Sequence, residues 1–301
     1  MEPNGPPSPV RAATPSGPSY QDHHVSRGPY QLYARDYPGA EPAIVLMHGF
    51  PDDLHLYDRL VPELAGRRVV SFDFLGWGAS DKPGGYPYTA TNQTGDLDAV
   101  IQHLQLDPVV LVAHDASGPP AINWALDHPR RVAGLVLLNT YYARMPGLRP
   151  PEVIRLFSTP ILRSVARPVS RLFGDLLFRA MYRWQVGRFF RDPQVRQQFL
   201  PLLYRQFTAT PSAHEAFFGL NRDLRSAVAA GTAALPRLRQ FDRPVRIIFG
   251  AADPYLNAGV ARRFHQLFPT SELFLPPDAR HYVQLDEPRQ VARLILTIPK
   301  G

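Results

Sequence analysis

The sequence predicts an α/β protein: a mostly parallel, doubly wound sheet with an inserted helical segment over the strand ends. Three observations predict this. Short, continuous apolar runs recur along the chain, helical patterns lie between them, and the alternation stops near Ala143 and resumes at Arg243. Continuous runs suit parallel strands covered on both faces. Strands that alternate with helices build a doubly wound sheet.

The elements follow in chain order. Residues 1–28 are rich in Pro, Ser and Gly and contain no apolar segment. They predict a disordered tail, because such a stretch buries too little surface to order itself. Without a continuous apolar h-region this tail is not a secretory signal, so a cytoplasmic location is expected. Residues 29–142 and 236–301 are predicted to form the sheet core. Its strands are expected at Ala43–Met47, Arg68–Phe72, Val109–Val112, Val132–Leu138, Val245–Phe249 and Glu272–Leu275. Between Thr91 and Leu104, Leu97, Val100, Ile101 and Leu104 recur at helical spacing. Pro119-Pro120 opens a second helix to about Asp127, since proline is tolerated in a first turn. Asn257–Leu267 and Glu287–Ile295 predict two more. Residues 143–235 contain Arg, Phe and Leu at helical spacing with several Pro breaks and no strand pattern.

Composition removes several function classes. There is no cysteine, which excludes disulfides and thiolate chemistry. No apolar run reaches the roughly 20 residues of a membrane span, so no stable membrane insertion is expected. The formal charge is +7, and residues 143–235 hold fourteen Arg against five Asp or Glu, a local excess of +9. Neither zinc-ligand spacing nor a nucleic-acid motif accompanies the excess, so no nucleic-acid partner is expected. The sequence also suggests no metal and no organic cofactor. His23-His24 in the predicted tail are read as inert.

The chemistry concentrates at four turns. Ala113-His114-Asp115-Ala116-Ser117-Gly118 passes from strand to helix with small residues two positions either side of Asp115. That is the small–x–nucleophile–x–small pattern of a nucleophile elbow. Ser117 fits it poorly, having Asp115 and Pro119 as flanks. A carboxylate is charged at neutral pH without help from a base. It can therefore displace a leaving group at saturated carbon and form an alkyl ester. Water must then attack the ester carbonyl of Asp115, and only that step needs a base. The backbone N–H groups of Phe50 and Ala116 are candidate oxyanion donors, each typically worth about 2.7–4 kcal/mol. Asp253 ends another strand, where it can orient a histidine. His281, in the loop after the last strand, is the candidate base.

Together these segments resemble the α/β-hydrolase superfamily, in particular its aspartate-nucleophile branch of epoxide hydrolases and haloalkane dehalogenases. The resemblance rests on His48-Gly49-Phe50-Pro51, on Asp73-Phe74-Leu75-Gly76-Trp77-Gly78-Ala79-Ser80-Asp81-Lys82-Pro83, on His114-Asp115, and on the Asp253 and His281 turns. It spans about Tyr30 to Ile298. It implies an α/β-hydrolase fold, a helical cap at residues 143–235, and the order nucleophile, acid, base in Asp115, Asp253 and His281.

The same resemblance bears on the leaving group. Halide-releasing relatives usually place a Trp after the nucleophile, where this chain has Ala116. Epoxide hydrolases share a residue like Phe50 after His-Gly and donate to the ring oxygen from cap tyrosines. Epoxide opening to a diol is therefore expected, with haloalkane hydrolysis as the alternative and a non-catalytic small-molecule receptor as a reading from another class. Tyr141, Tyr182 and Tyr204 are candidate donors, and Trp184 is a candidate halide holder. Phe189, Phe190, Phe217, Phe218 and Leu220 suggest a hydrophobic small-molecule substrate. The chain is expected to act as a monomer or homodimer.

Overall fold

The computed structural model describes residues 18–161, 164, 176, 179–207 and 213–299. Eight strands form one sheet in the order β1-β2-β4-β3-β5-β6-β7-β8. They are β1 (Gln21–Arg27), β2 (Tyr30–Tyr37), β3 (Ala40–Met47), β4 (Arg67–Phe72), β5 (Val109–Asp115), β6 (Val132–Thr140), β7 (Val245–Ile248) and β8 (Ser271–Phe274). β1, β2 and β4 pair antiparallel, and every other neighbouring pair is parallel.

The central strands are the apolar runs of the sequence. Val45 lies opposite both Val70 and Leu111, and all three are buried. Residues covered on both faces leave no room for alternation, hence the continuous runs. Helices flank the sheet: α1 (Ala90–His103), α2 (Gly118–Asp127), α6 (Ala258–Leu267) and α8 (Pro288–Leu296), with the single turn α7 (Val283–Asp286) before α8. Thr89 caps α1 by accepting from the Asn92 N–H, and Asn257 caps α6 by accepting from that of Gly259. Such caps satisfy N–H groups that the helix itself leaves unpaired.

The expected tail over residues 1–28 needs correction. Residues 1–17 lie outside the described residues, but Gln21–Arg27 forms edge strand β1, and His23 and His24 belong to it. The β1–β2 hairpin turns at Gly28-Pro29, with Gly28 at a φ of +61°, a value glycine adopts without strain. Arg27 then ties the hairpin to α1 through a 2.9 Å contact with Asp96. Only Val25 of β1 is buried, so no apolar run marks the strand.

Among the described residues, helical stretches that cross the carboxyl ends of the strands include α3 (Glu152–Ser158), residues 179–186, α4 (Pro193–Phe207) and α5 (Ala213–Leu238). α5 continues past the expected boundary at residue 235, carries Pro236 inside it, and buries Leu238. Among the described residues no helix is long and apolar enough to cross a membrane.

Candidate active site

The loops after β3, β5, β6, β7 and β8 converge at one end of the sheet, where an open α/β sheet offers its crevice. Asp115 is the last residue of β5 and has a φ of +50°. Non-glycine residues avoid that region, and the strain marks a tightly determined turn. Its surroundings leave no room for a side chain at two nearby glycines. A Cβ on Gly49 would stand 2.6 Å from the Asp115 Cβ, and one on Gly118 would stand 2.0 Å from the Thr140 Oγ1. Ser117 is fully buried, with its hydroxyl at 2.8 Å and 2.9 Å from the His114 and Met47 carbonyl oxygens. It braces the turn and does not face the cavity.

The Phe50 N–H donates to Asp115 Oδ2 at 3.0 Å, and the Ala116 N–H also bonds this carboxylate. The two N–H groups expected to form an oxyanion hole thus hold the carboxylate of Asp115 itself. Burial pushes the Asp115 carboxyl above its usual range, while His281 and the two N–H groups oppose that shift.

The structure brings His281 and Asp253 to the same point. His281 Nδ1 is 2.8 Å from Asp253 Oδ2, and His281 Nε2 is 4.0 Å from Asp115 Oδ1. The longer distance is too great for a hydrogen bond, so Nε2 is not spent on the carboxylate. Asp253 also accepts from the N–H groups of Tyr255 at 2.8 Å and Leu256 at 3.2 Å, and from Asn139 Nδ2 at 3.0 Å. These bonds fix the carboxylate and, through it, the tautomer and direction of the ring. Burial works to lower the pKa of His281, but the charges of Asp253, Asp115 and Asp52 outweigh it and the net direction is upward. Phe189 covers the imidazole with ring centroids 4.4 Å apart. His114, buried against His281, has its pKa lowered well below the usual value, first by burial and then by His281, so it is neutral packing beside the site.

A cavity of about 410 Å³ opens above Asp115 and His281. Tyr141 and Tyr182 line it as expected, with Phe189, Phe217 and Leu220. Burial raises both phenols, and the charges of Asp115 on Tyr141 and of Asp52 on Tyr182 raise them further, so both stay protonated at neutral pH, with the Tyr182 hydroxyl donating to the Pro51 carbonyl oxygen at 3.3 Å. Three expectations fail. Trp184 is 51% exposed under the Arg188 guanidinium and does not line the cavity. Tyr204 packs edge-on against Tyr182, with centroids 5.2 Å apart, and supports that ring from behind. Phe190 and Phe218 pack against Tyr282 and Phe157 respectively, outside the cavity. Helical spacing says which residues share a face but not which face meets the cavity.

Two residues were missed. Asn139 donates to Asp253 and accepts from the Gly250 N–H at 2.8 Å, locking the loop that carries Asp253 to the end of β6. Its signal was a polar residue closing the apolar run Leu135-Val136-Leu137-Leu138. Asp52 is buried beside His281, accepts from the Tyr282 hydroxyl at 2.7 Å through Oδ1, and leaves Oδ2 without a partner. Burial, with a smaller contribution from Asp115, pushes its carboxyl up to about 7 against the opposing pull of Tyr282 and His281. A raised carboxyl stabilises the fold fully below its unfolded value of 3.8, and that contribution is lost as pH rises through about 7. The shift corresponds to roughly 4 kcal/mol. Asp52→Asn, which still accepts from Tyr282, is therefore expected to raise Tm by several degrees at pH 8 and by nothing below pH 4. A thermal-melt difference that ignores pH would refute this.

Comparison with known proteins places the fold in a family. A family model for the alpha/beta hydrolase fold matches residues 42–288. A haloalkane dehalogenase of Mycobacterium marinum is 27% identical over 294 residues, covering 96% of this chain and 92% of that protein. A cis-3-alkyl-4-alkyloxetan-2-one decarboxylase of Xanthomonas campestris is 28% identical over 289 residues, covering 87% and 90%. The crystal structure of the haloalkane dehalogenase DatA from Agrobacterium tumefaciens superposes with a TM-score of 0.75 at 23% identity, covering 93% of this chain and 97% of that one. At that identity the superposition speaks for the fold alone.

Proposed function

The chain belongs to the alpha/beta hydrolase fold family, and from that premise we propose that it hydrolyses its substrate through an alkyl ester on Asp115, with epoxide opening to a diol as the reaction. The observation that carries the reading is the pairing of a held carboxylate with a neighbouring base and buried phenols. Asp115 Oδ1, the oxygen that the Phe50 N–H does not hold, attacks a ring carbon and breaks its C–O bond. Tyr141 gives its proton to the departing oxygen, since the Tyr182 hydroxyl already donates to the Pro51 carbonyl oxygen. His281 then takes a proton from water as the water oxygen attacks the Asp115 carbonyl carbon. The N–H groups of Phe50 and Ala116 stabilise the resulting oxyanion. Collapse releases the diol, with the proton on His281 passing to the leaving oxygen, and the second proton of the water, left on the Asp115 carboxyl, returns to the tyrosine phenolate, which restores both the carboxylate and the phenol.

An oxygen leaving group suits this cavity better than a halide. The chain has three tryptophans, and none is among the described cavity-lining residues. A phenol can give a full proton to an alkoxide, whereas a halide leaves without one. The Xanthomonas relative, named for a strained oxetanone ring, is consistent with an oxygen ring as the leaving group. The name of the Mycobacterium relative favours the second reading, carbon–halogen hydrolysis through the same Asp115 ester.

Tyr141→Phe tests the donor, and the wild type with each substrate decides between the two. General-acid help is worth about 10²–10⁴-fold, so kcat/KM for styrene oxide is expected to fall by that order. Unchanged diol formation in the variant would remove Tyr141 from the reaction. Halide release from 1-bromohexane by the wild type, with no diol from any epoxide tried, would replace the first reading by the second.

A further inference from the structure

We infer that the mouth of the cavity is an anion-binding subsite, and that the substrate is an amphiphile with an apolar body and a carboxylate head. The inference names the substrate class of the site proposed above and rests on that reading for the chemistry, though not for the binding. Four arginines line the cavity: Arg144 and Arg149 on the loop before α3, Arg155 on α3 and Arg225 on α5. All four are exposed, whereas Asp115 and His281 lie deeper, so the cations ring the entrance. Asp115 is the only carboxylate among the described lining residues.

The pairing of the arginines separates this group from ordinary surface charge. Elsewhere in and beside the same helical segment, Arg188 pairs with Glu152, Arg191 with Glu287 and Arg237 with Asp127. Among the described residues, none of the guanidinium groups of Arg144, Arg149, Arg155 and Arg225 forms an ion pair or donates a hydrogen bond. Four like charges around one cleft repel each other, and an anion placed among them relieves that repulsion. Apolar walls focus the field, which raises the local concentration of an anion about tenfold or more. A guanidinium also matches a carboxylate geometrically, with two parallel N–H donors. Val153, Ile154, Met181 and Leu220 supply apolar wall to the same cavity. A chain lying along that wall would carry a reactive carbon to the carboxylate while its head stays among the arginines.

The test uses the full-length protein and unreactive probes, so it stands even if Asp115 catalyses something else. Binding of decanoate and of 1-decanol is measured by calorimetry at pH 8, below the concentration at which either aggregates. Decanoate is expected to bind about tenfold more tightly at low ionic strength. That ratio is expected to approach one in about 1 M salt, where the Debye length is about 3 Å. In Arg155→Gln/Arg225→Gln the ratio is expected to collapse already at low salt. Should the double variant not fold, Arg144→Gln gives the same readout. Equal affinity for the two probes, or a ratio that the arginine variants leave unchanged, would overturn the subsite. So would binding to phosphatidylglycerol vesicles without any response to monomeric decanoate, because the charge would then serve a surface and not the cavity. Failure of the catalytic reading shows separately, as an absence of epoxide turnover while decanoate still binds.

Discussion

His281→Gln is expected to stop turnover while leaving the first bond-forming step intact, so that the protein gains the whole mass of one epoxide. Attack by Asp115 needs no base, because a carboxylate is already the nucleophile. On the proposed mechanism the ester is hydrolysed with His281 Nε2 as base, a nitrogen that no hydrogen bond to Asp115 occupies. Removing the base should cost about 10⁴-fold or more in kcat, the scale seen when one member of a catalytic unit is lost. Intact-mass spectrometry after exposure to styrene oxide reads the adduct directly. A gain equal to an alkyl group without its halogen, after exposure to 1-bromohexane instead, would mean dehalogenation. Failure to detect an adduct with either compound would end the alkyl-ester reading.

The wild type should show the same effect with pH. The His281 pKa is raised, so a fall in pH through it protonates the base and slows ester hydrolysis. Attack by the Asp115 carboxylate needs no base, so the ester accumulates as its hydrolysis slows, which intact-mass spectrometry reads. The charge on Asp115 is one of the causes that raise His281, and ester formation cancels it. The base therefore becomes more readily neutral at the step that uses it.

Asp115→Gly is expected to abolish activity and stabilise the protein together. With no nucleophile, kcat/KM should fall by about 10⁴-fold or more and the mass adduct should vanish even in the His281→Gln background. Stability should rise for two reasons. Glycine adopts a φ of +50° without the roughly 1–2 kcal/mol that an L side chain costs there. The variant also removes a carboxylate whose raised pKa means that its charged form is disfavoured in the fold at neutral pH. A thermal melt showing a lower Tm would mean that the N–H bonds to Asp115 outweigh both costs.

The core of the sheet was legible because its strands are buried on both faces and so appear as unbroken apolar runs. The hairpin β1–β2 was not. Its outer strand contributes only Val25 to the core, and an edge strand with polar residues on both faces looks like tail. Asp115 was legible because a sharp strand-to-helix turn tolerates only small neighbours, and the collisions that a Cβ would meet at Gly49 and Gly118 show how closely the chain passes around it.

The sequence by itself determined the alternation of strands and helices, the position of the elbow, and the chain order of Asp115, Asp253 and His281. These follow from local sterics and from periodic burial, which a one-dimensional pattern records. Only the tertiary structure decided which tyrosines meet the cavity, that Trp184 faces outward, that Asn139 and Asp52 join the site, and that four arginines ring its mouth. Each of those depends on how elements distant in sequence are rotated and stacked against one another. The same helical spacing is compatible with every rotation until packing selects one.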